Sequence, residues 1–142
     1  MASVITLVAT VAAIPANAAT YYLFHNLNTV ECLDSNSGGS AYANPCNAGN
    51  NFQLYAYVST TWGYLIQSNA TGRCLDSNAS GLAYTNPCSS GNAYQNWQRV
   101  NWSGSNFQLQ NIATGRCLQA NTSSAISTAP CNSGNTFQRW WN

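Results

Sequence analysis

Six cysteines fall into three pairs, Cys32 with Cys46, Cys74 with Cys88 and Cys117 with Cys131, and every pair spans fourteen positions. The opening cysteine recurs after 42 residues (32 to 74) and again after 43 (74 to 117), while Gln53, Gln95 and Gln138 keep step with it. Self-similarity at such a period marks a repeat architecture, in which no unit buries its apolar face alone and neighbouring units share one core. Setting aside residues 1–19 leaves 123, or three units of 41, with boundaries at about 20–60, 61–103 and 104–142.

Six cysteines allow fifteen connectivities, and the repetition favours the one that closes a bridge inside each pair. A zinc site would want C-x-x-C knuckles or accompanying histidines, and His25 is the chain's sole histidine. No metal and no cofactor is expected. His25 itself reads as a surface residue with no partner.

Every unit has the same order: a short apolar alternation (YYLF, GYLIQS, NFQLQN), a turn that is ATGR in units two and three, a CL segment, and a closing FQLY, YQNW or FQRW. Short alternating segments punctuated by Gly, Asn, Ser and Pro are strands and tight turns. No window sustains the i, i+3, i+4, i+7 apolar pattern of a helix. The expected fold is all-β, with about four strands per unit around a pseudo-threefold axis, closed on itself so that few edges stay exposed. Tyr55, Trp97 and Trp140 repeat with the unit and are expected to meet in the common core.

Charged residues make up 5% of the chain, lysine is absent, and four arginines stand against Glu31, Asp34 and Asp76. Such a chain cannot form a basic patch, which argues against nucleic-acid binding. Asn, Ser and Thr supply about a third of the residues. The polar surface is therefore made of amides and hydroxyls, groups matched to neutral polyhydroxyl ligands.

The start, MASVITLVATVAAIPANAA, is an apolar run closing on Ala16-Asn17-Ala18, the small-x-small form of a leader-cleavage site, but it lacks a basic beginning. It is short for a membrane span. Two readings stand: a signal-like leader, or a retained β-forming arm through which residues 4–12 would drive self-association, helped by near-zero net charge. Together with three bridges, which persist in oxidising compartments, the leader reading makes the protein secreted. The position of this segment and the end at Asn142 argue for a stand-alone domain.

The triplets Gln95-Asn96-Trp97 and Gln138-Arg139-Trp140, the variant Gln53-Leu54-Tyr55, and the C-L-D opening resemble the ricin B-type lectins over residues 21–142. The resemblance implies a β-trefoil of three four-stranded repeats. Within that family, LDSN, AYTNPC and the YQ pair are most similar to the actinohivin-like branch, which binds the mannose termini of high-mannose glycans.

That resemblance assigns sugar contacts to Asp34, Tyr42, Asn47 and Gln53 in unit one and to Asp76, Tyr84, Tyr94 and Gln95 in unit two. The chemistry suits the role. An ionised carboxylate accepts two hydroxyl hydrogen bonds with defined geometry, and a tyrosine face covers the apolar side of a pyranose. The competing reading, that each aspartate accepts a backbone N–H in a DSN turn, is outweighed by the tyrosine repeated at a fixed distance. Tyr42 and Tyr84 are expected in loops, and Asn36 and Asn78 to hold turns. In unit three Gln119 stands for the aspartate and Ser127 for the tyrosine, so two working sites and one structural unit are expected. Asn44 and Asn86 replace the leucine of the actinohivin pattern, and Asn47 becomes Ser89 in unit two.

Catalysis is not expected. Glycoside hydrolysis needs two carboxylates within about 10 Å, and Asp34 and Asp76 belong to different lobes. A nucleophile would want histidine as base. The leading expectation is a lectin for mannose- or galactose-terminated glycans; an accessory module of an enzyme or toxin and a self-assembling structural subunit are the alternatives. Of four N-x-S/T sequons (Asn69, Asn78, Asn101, Asn121), a glycan on Asn78 would obstruct the second site.

Overall fold

The computed structural model describes residues 18–142, so the expectations placed on residues 1–17 lie outside the described part. It contains twelve strands: β1 (His25–Asn26), β2 (Glu31–Ser35), β3 (Ala41–Pro45), β4 (Tyr55–Ser59), β5 (Tyr64–Ser68), β6 (Cys74–Ser77), β7 (Ala83–Asn86), β8 (Trp97–Ser103), β9 (Asn106–Asn111), β10 (Arg116–Ala120), β11 (Ile126–Pro130) and β12 (Trp140–Trp141). Among the described residues the only helical turns are three 3-10 segments, Asn51–Gln53, Ala93–Gln95 and Thr136–Gln138. Each is capped by an asparagine of its own unit, Asn50, Asn92 or Asn135, whose side chain accepts a backbone N–H at 3.0 Å.

Strands β4, β5, β8, β9, β12 and β1 pair in a ring, closed by the bridge of Tyr22 to Tyr55. Hairpins β2–β3, β6–β7 and β10–β11 cap this barrel, one per unit. This is the β-trefoil expected from the repeat, with three in-unit disulfides: Cys32–Cys46, Cys74–Cys88 and Cys117–Cys131.

The core repeats by threes. Leu33, Leu75 and Leu118 face Tyr55, Trp97 and Trp140, all fully buried, at about 1.5–3 kcal/mol for each large side chain removed from water. Trp97 and Trp140 donate their indole N–H groups to the carbonyls of Leu75 and Leu118 at 3.0 Å. Tyr55, the odd member, is buried with no hydrogen-bond partner for its hydroxyl, and burial pushes its ionisation well above the ordinary tyrosine range.

Neighbouring hairpins interlock. The backbone N–H of Thr85 donates to Gly39 of unit one, that of Thr128 to Gly81 of unit two, and that of Ala43 to Ser124 of unit three, each at 2.8 Å. At the first two junctions Arg73 and Arg116 lie over the glycine and donate to the threonine carbonyl at 2.7 and 2.8 Å. The glycines are required there: both have positive φ, and a Cβ would stand 2.8–3.0 Å from the guanidinium and 2.9 Å from a carbonyl oxygen. At the third junction Glu31 replaces arginine, Ala43 replaces threonine, and Ser124, with φ 60°, donates its hydroxyl to the Glu31 carboxylate at 3.0 Å.

Two sequence expectations are corrected. Tyr42 and Tyr84 lie on strands β3 and β7 rather than in loops, because the antiparallel hairpin continues through Ala-Tyr to Pro45 in unit one and to Asn86 in unit two. His25 has partners: its ring stacks on Trp141 with centroids 3.7 Å apart, and its Nδ1 lies 3.3–3.4 Å from both sulfurs of the Cys32–Cys46 bridge. Burial lowers its pKa. His25, Cys32 and Cys46 converge closely enough to suggest metal ligation, but the thiols are consumed in the disulfide.

Candidate functional site

Hairpin register explains why an aspartate and a tyrosine eight residues apart belong together. In β2–β3 Asp34 lies directly opposite Tyr42, and in β6–β7 Asp76 lies opposite Tyr84. Directly opposed residues project from the same face of a sheet. The alternate positions, Leu33 with Ala43 and Leu75 with Thr85, turn the other way, toward the barrel.

The 3-10 turn of the same unit closes over this outer face. Asp34 is consequently only 2% exposed and Asp76 4%. Asp34 Oδ1 accepts the Ser35 backbone N–H at 2.7 Å, and Oδ2 accepts amide N–H groups from Asn44 (3.0 Å), Gln53 (3.1 Å) and Asn50 (3.4 Å). In unit two, Oδ1 accepts the Ser77 backbone N–H at 2.8 Å, and Oδ2 is bonded by Asn86 and Gln95, both at 3.1 Å. A carboxylate offers about four acceptor positions, and Oδ1 uses one of its own in each unit. The backbone bond read as the competing role of these aspartates is thus present, and it leaves acceptor capacity.

Gln53 and Gln95 are each 1% exposed. Their second N–H bonds go to Pro45 and Pro87, and their oxygens accept the backbone N–H of Asn47 and Ser89 at 2.8 Å. They brace the carboxylate. Gln138 repeats the same bonds to Pro130 and Asn132 and contacts Gln119 at 3.3 Å. Asn47 is exposed, and its side chain accepts the Gly49 N–H.

Tyr42 and Tyr84 are half-buried and donate their hydroxyls to Ser35 and Ser77 carbonyls at 3.1 Å. Burial, and next the adjacent aspartate charge, raises the pKa of both. Tyr94 is 39% exposed, whereas Phe52 fills its place in unit one. Asn36 and Asn78 hold the hairpin turns by accepting backbone N–H bonds from Ser40, Ser80 and Leu82.

Asn44 and Asn86 enter the site as direct donors to the carboxylates, a role the sequence reading left out. The signal was available. Their counterpart in unit three is Ala129, so Asp, Tyr and Asn are replaced together by Gln119, Ser127 and Ala129.

The family model for the ricin-type β-trefoil lectin domain matches residues 20–140. No curated protein sequence matches the chain significantly. Among solved structures, the designed threefold-symmetric protein ThreeFoil superposes with TM-score 0.74 at 20% identity, covering 85% of this chain and 96% of its own. SeviL, solved bound to asialo-GM1 saccharide, gives 0.71 at 12% identity over 87% and 96%. A GlcNAcα1-4Gal-releasing endo-β-galactosidase from Clostridium perfringens gives 0.77 at 13% identity over 87% of this chain, which spans about a third (32%) of the enzyme. At such identities these likenesses establish the fold alone.

Proposed function

The chain belongs to the ricin-type β-trefoil lectin family, and from that membership we propose that it is a secreted, non-catalytic lectin that binds neutral glycans through units one and two. Carbohydrate binding is the family's property, and three disulfides in a domain of this size point to an extracellular protein. Among the described residues no helix is long and apolar enough to cross a membrane.

One observation carries the reading. Units one and two share Asp, Tyr and Asn on one hairpin face, and unit three replaces all three while keeping its cysteine pair, closing glutamine, capping asparagine and core residues. The scaffold stands without the triad, so the triad serves something other than the scaffold.

In each site the amides of Asn44 and Gln53, or Asn86 and Gln95, hold the carboxylate in place. Its Oδ1 then accepts a sugar hydroxyl, the exposed edge of the asparagine amide takes a neighbouring hydroxyl, and the Tyr42 or Tyr84 ring covers the apolar face of the pyranose. Tyr94 enlarges the second site, and Asn47 borders the first. Such a clamp is worth about 4 kcal/mol, near millimolar, and two rigidly spaced clamps gain avidity on branched glycans. Terminal mannose or galactose-type sugars are the ligands this reading names.

A glycan array tests this. The chain should bind mannose- or galactose-terminated glycans, and an Asp34→Asn/Asp76→Asn variant that still melts cooperatively should not. Equal binding by both proteins would refute the sites. The endo-β-galactosidase, in which a domain of this fold is about a third of an enzyme, supports the accessory-module reading. The self-assembly alternative predicts filaments in electron micrographs that disappear when residues 1–19 are deleted.

A further inference from the structure

The barrel hairpins carry a feature that the sugar clamps do not use. Three of the four arginines spend their guanidinium N–H groups inside the fold: Arg73 on Thr85, Arg116 on Thr128, and Arg139 on Ser133, Asn101 and Asn106. Arg99, on β8, is surrounded by aromatic rings instead. Its guanidinium carbon lies 4.7 Å from the Tyr57 centroid, 5.3 Å from Trp102, 5.4 Å from Tyr64 and 5.8 Å from Phe107.

No acidic side chain is left to neutralise it. The chain has three, and Asp34 and Asp76 are held by amides while Glu31 is bonded to Ser124. Arg99, Trp102, Tyr64, Gly63 and Gln98 line a surface depression of about 310 Å³, within the usual range for a small-molecule site. Trp102 is 54% exposed. An arginine held on aromatic faces keeps a planar array of N–H donors suited to an oxyanion, and the exposed indole offers a stacking face for a sugar ring.

We infer that the depression at Arg99 is a second kind of saccharide site, specific for a sugar bearing an anionic oxygen group, either a carboxylate or a sulfate. The guanidinium pairs with the anion, and Trp102 and Tyr64 cover the ring that carries it. This site lies on the barrel hairpins β4–β5 and β8–β9 rather than on the capping hairpins, and it goes beyond the neutral-glycan reading. It also gives the chain a recognition mode that weakens with salt.

The test measures binding of a glucuronic-acid-containing oligosaccharide, a sulfated oligosaccharide and the neutral parent of each, at low and high salt. The Asp34→Asn/Asp76→Asn variant should retain binding of an acidic arm, which separates this site from the clamps. Arg99→Gln should weaken that binding about tenfold or more and leave mannose- and galactose-terminated glycans unaffected. Trp102→Ala should weaken it as well, and Arg99→Lys should preserve part of it. Which acidic arm responds identifies carboxylate or sulfate. Should Arg99→Gln misfold, quenching of tryptophan fluorescence in the unaltered chain by the acidic sugar, reversed by salt, reads the same site. Acidic arms bound no better than their neutral parents, or bound equally by a folded Arg99→Gln, would overturn the proposal.

Discussion

Unit one and unit three depart from threefold symmetry in opposite ways. Unit one keeps the Asp34–Tyr42–Asn44 face but is irregular in its scaffold. It carries Tyr55 for tryptophan, Glu31 for arginine, and Val30 at φ 56° where units two and three place Gly72 and Gly115 at φ 67°. Unit three keeps the tryptophan, the arginine and the glycine, and loses the triad. Scaffold and site therefore vary independently.

The largest effect should come from transplanting the triad. Gln119→Asp/Ser127→Tyr/Ala129→Asn should create a third clamp and raise the sugar stoichiometry by calorimetry from two to three; an unchanged stoichiometry would show that more than the triad distinguishes the units. Next is the disulfide common to all units. Replacing any one pair by serine should cost about 3 kcal/mol in denaturant melts, and a much smaller loss in one unit would show that its loop is held by other contacts.

The junctions come third. Gly39→Ala and Gly81→Ala should each destabilise by about 1–3 kcal/mol, since the new Cβ meets carbonyl and guanidinium at positive φ, whereas Ser124→Ala loses only the bond to Glu31, about 1 kcal/mol. Smaller still, Tyr55→Phe should stabilise by about 1 kcal/mol, because it removes a buried hydroxyl without a partner. The same variant sharpens a pH test. Burial raises the ionisation of Tyr55, and Tyr57 is pushed up to about 12 by burial against the opposing effects of Asn142 and Arg99. Both groups bind their proton more tightly folded than unfolded, so their stability is complete below pH 10 and declines as the pH rises from 10 toward 12. Tyr55→Phe should flatten that decline in melts at alkaline pH.

The trefoil was legible because it is written three times: cysteine spacing, closing glutamine and core aromatic all repeat in phase. The Asp–Tyr pairing was legible as a constant interval of eight, which the hairpin register converts into direct opposition. The depth of the carboxylates was not, because it depends on a 3-10 turn folding back over the strand, nineteen positions away at Gln53 and Gln95. Asn44 and Asn86 looked like replaced apolar positions and prove to be donors. The company of Arg99 was hidden most completely, since Tyr57, Tyr64 and Phe107 approach it from three other strands. His25 could not be read because its partner, Trp141, lies at the far end of the chain.

The unlike third junction has a consequence for assembly. Three interchangeable hairpins could dock in the wrong order, or exchange between two chains, if every tip fitted every socket. Here the third tip is not interchangeable with the other two. A serine tip brought under Arg73 or Arg116 would drive its Cβ into the guanidinium, and a glycine tip brought to Glu31 would leave that carboxylate without its hydroxyl donor. The socket at Glu31 favours the last hairpin through the bond that Ser124 supplies, which gives a nearly symmetric chain a distinct seam at which the circle closes.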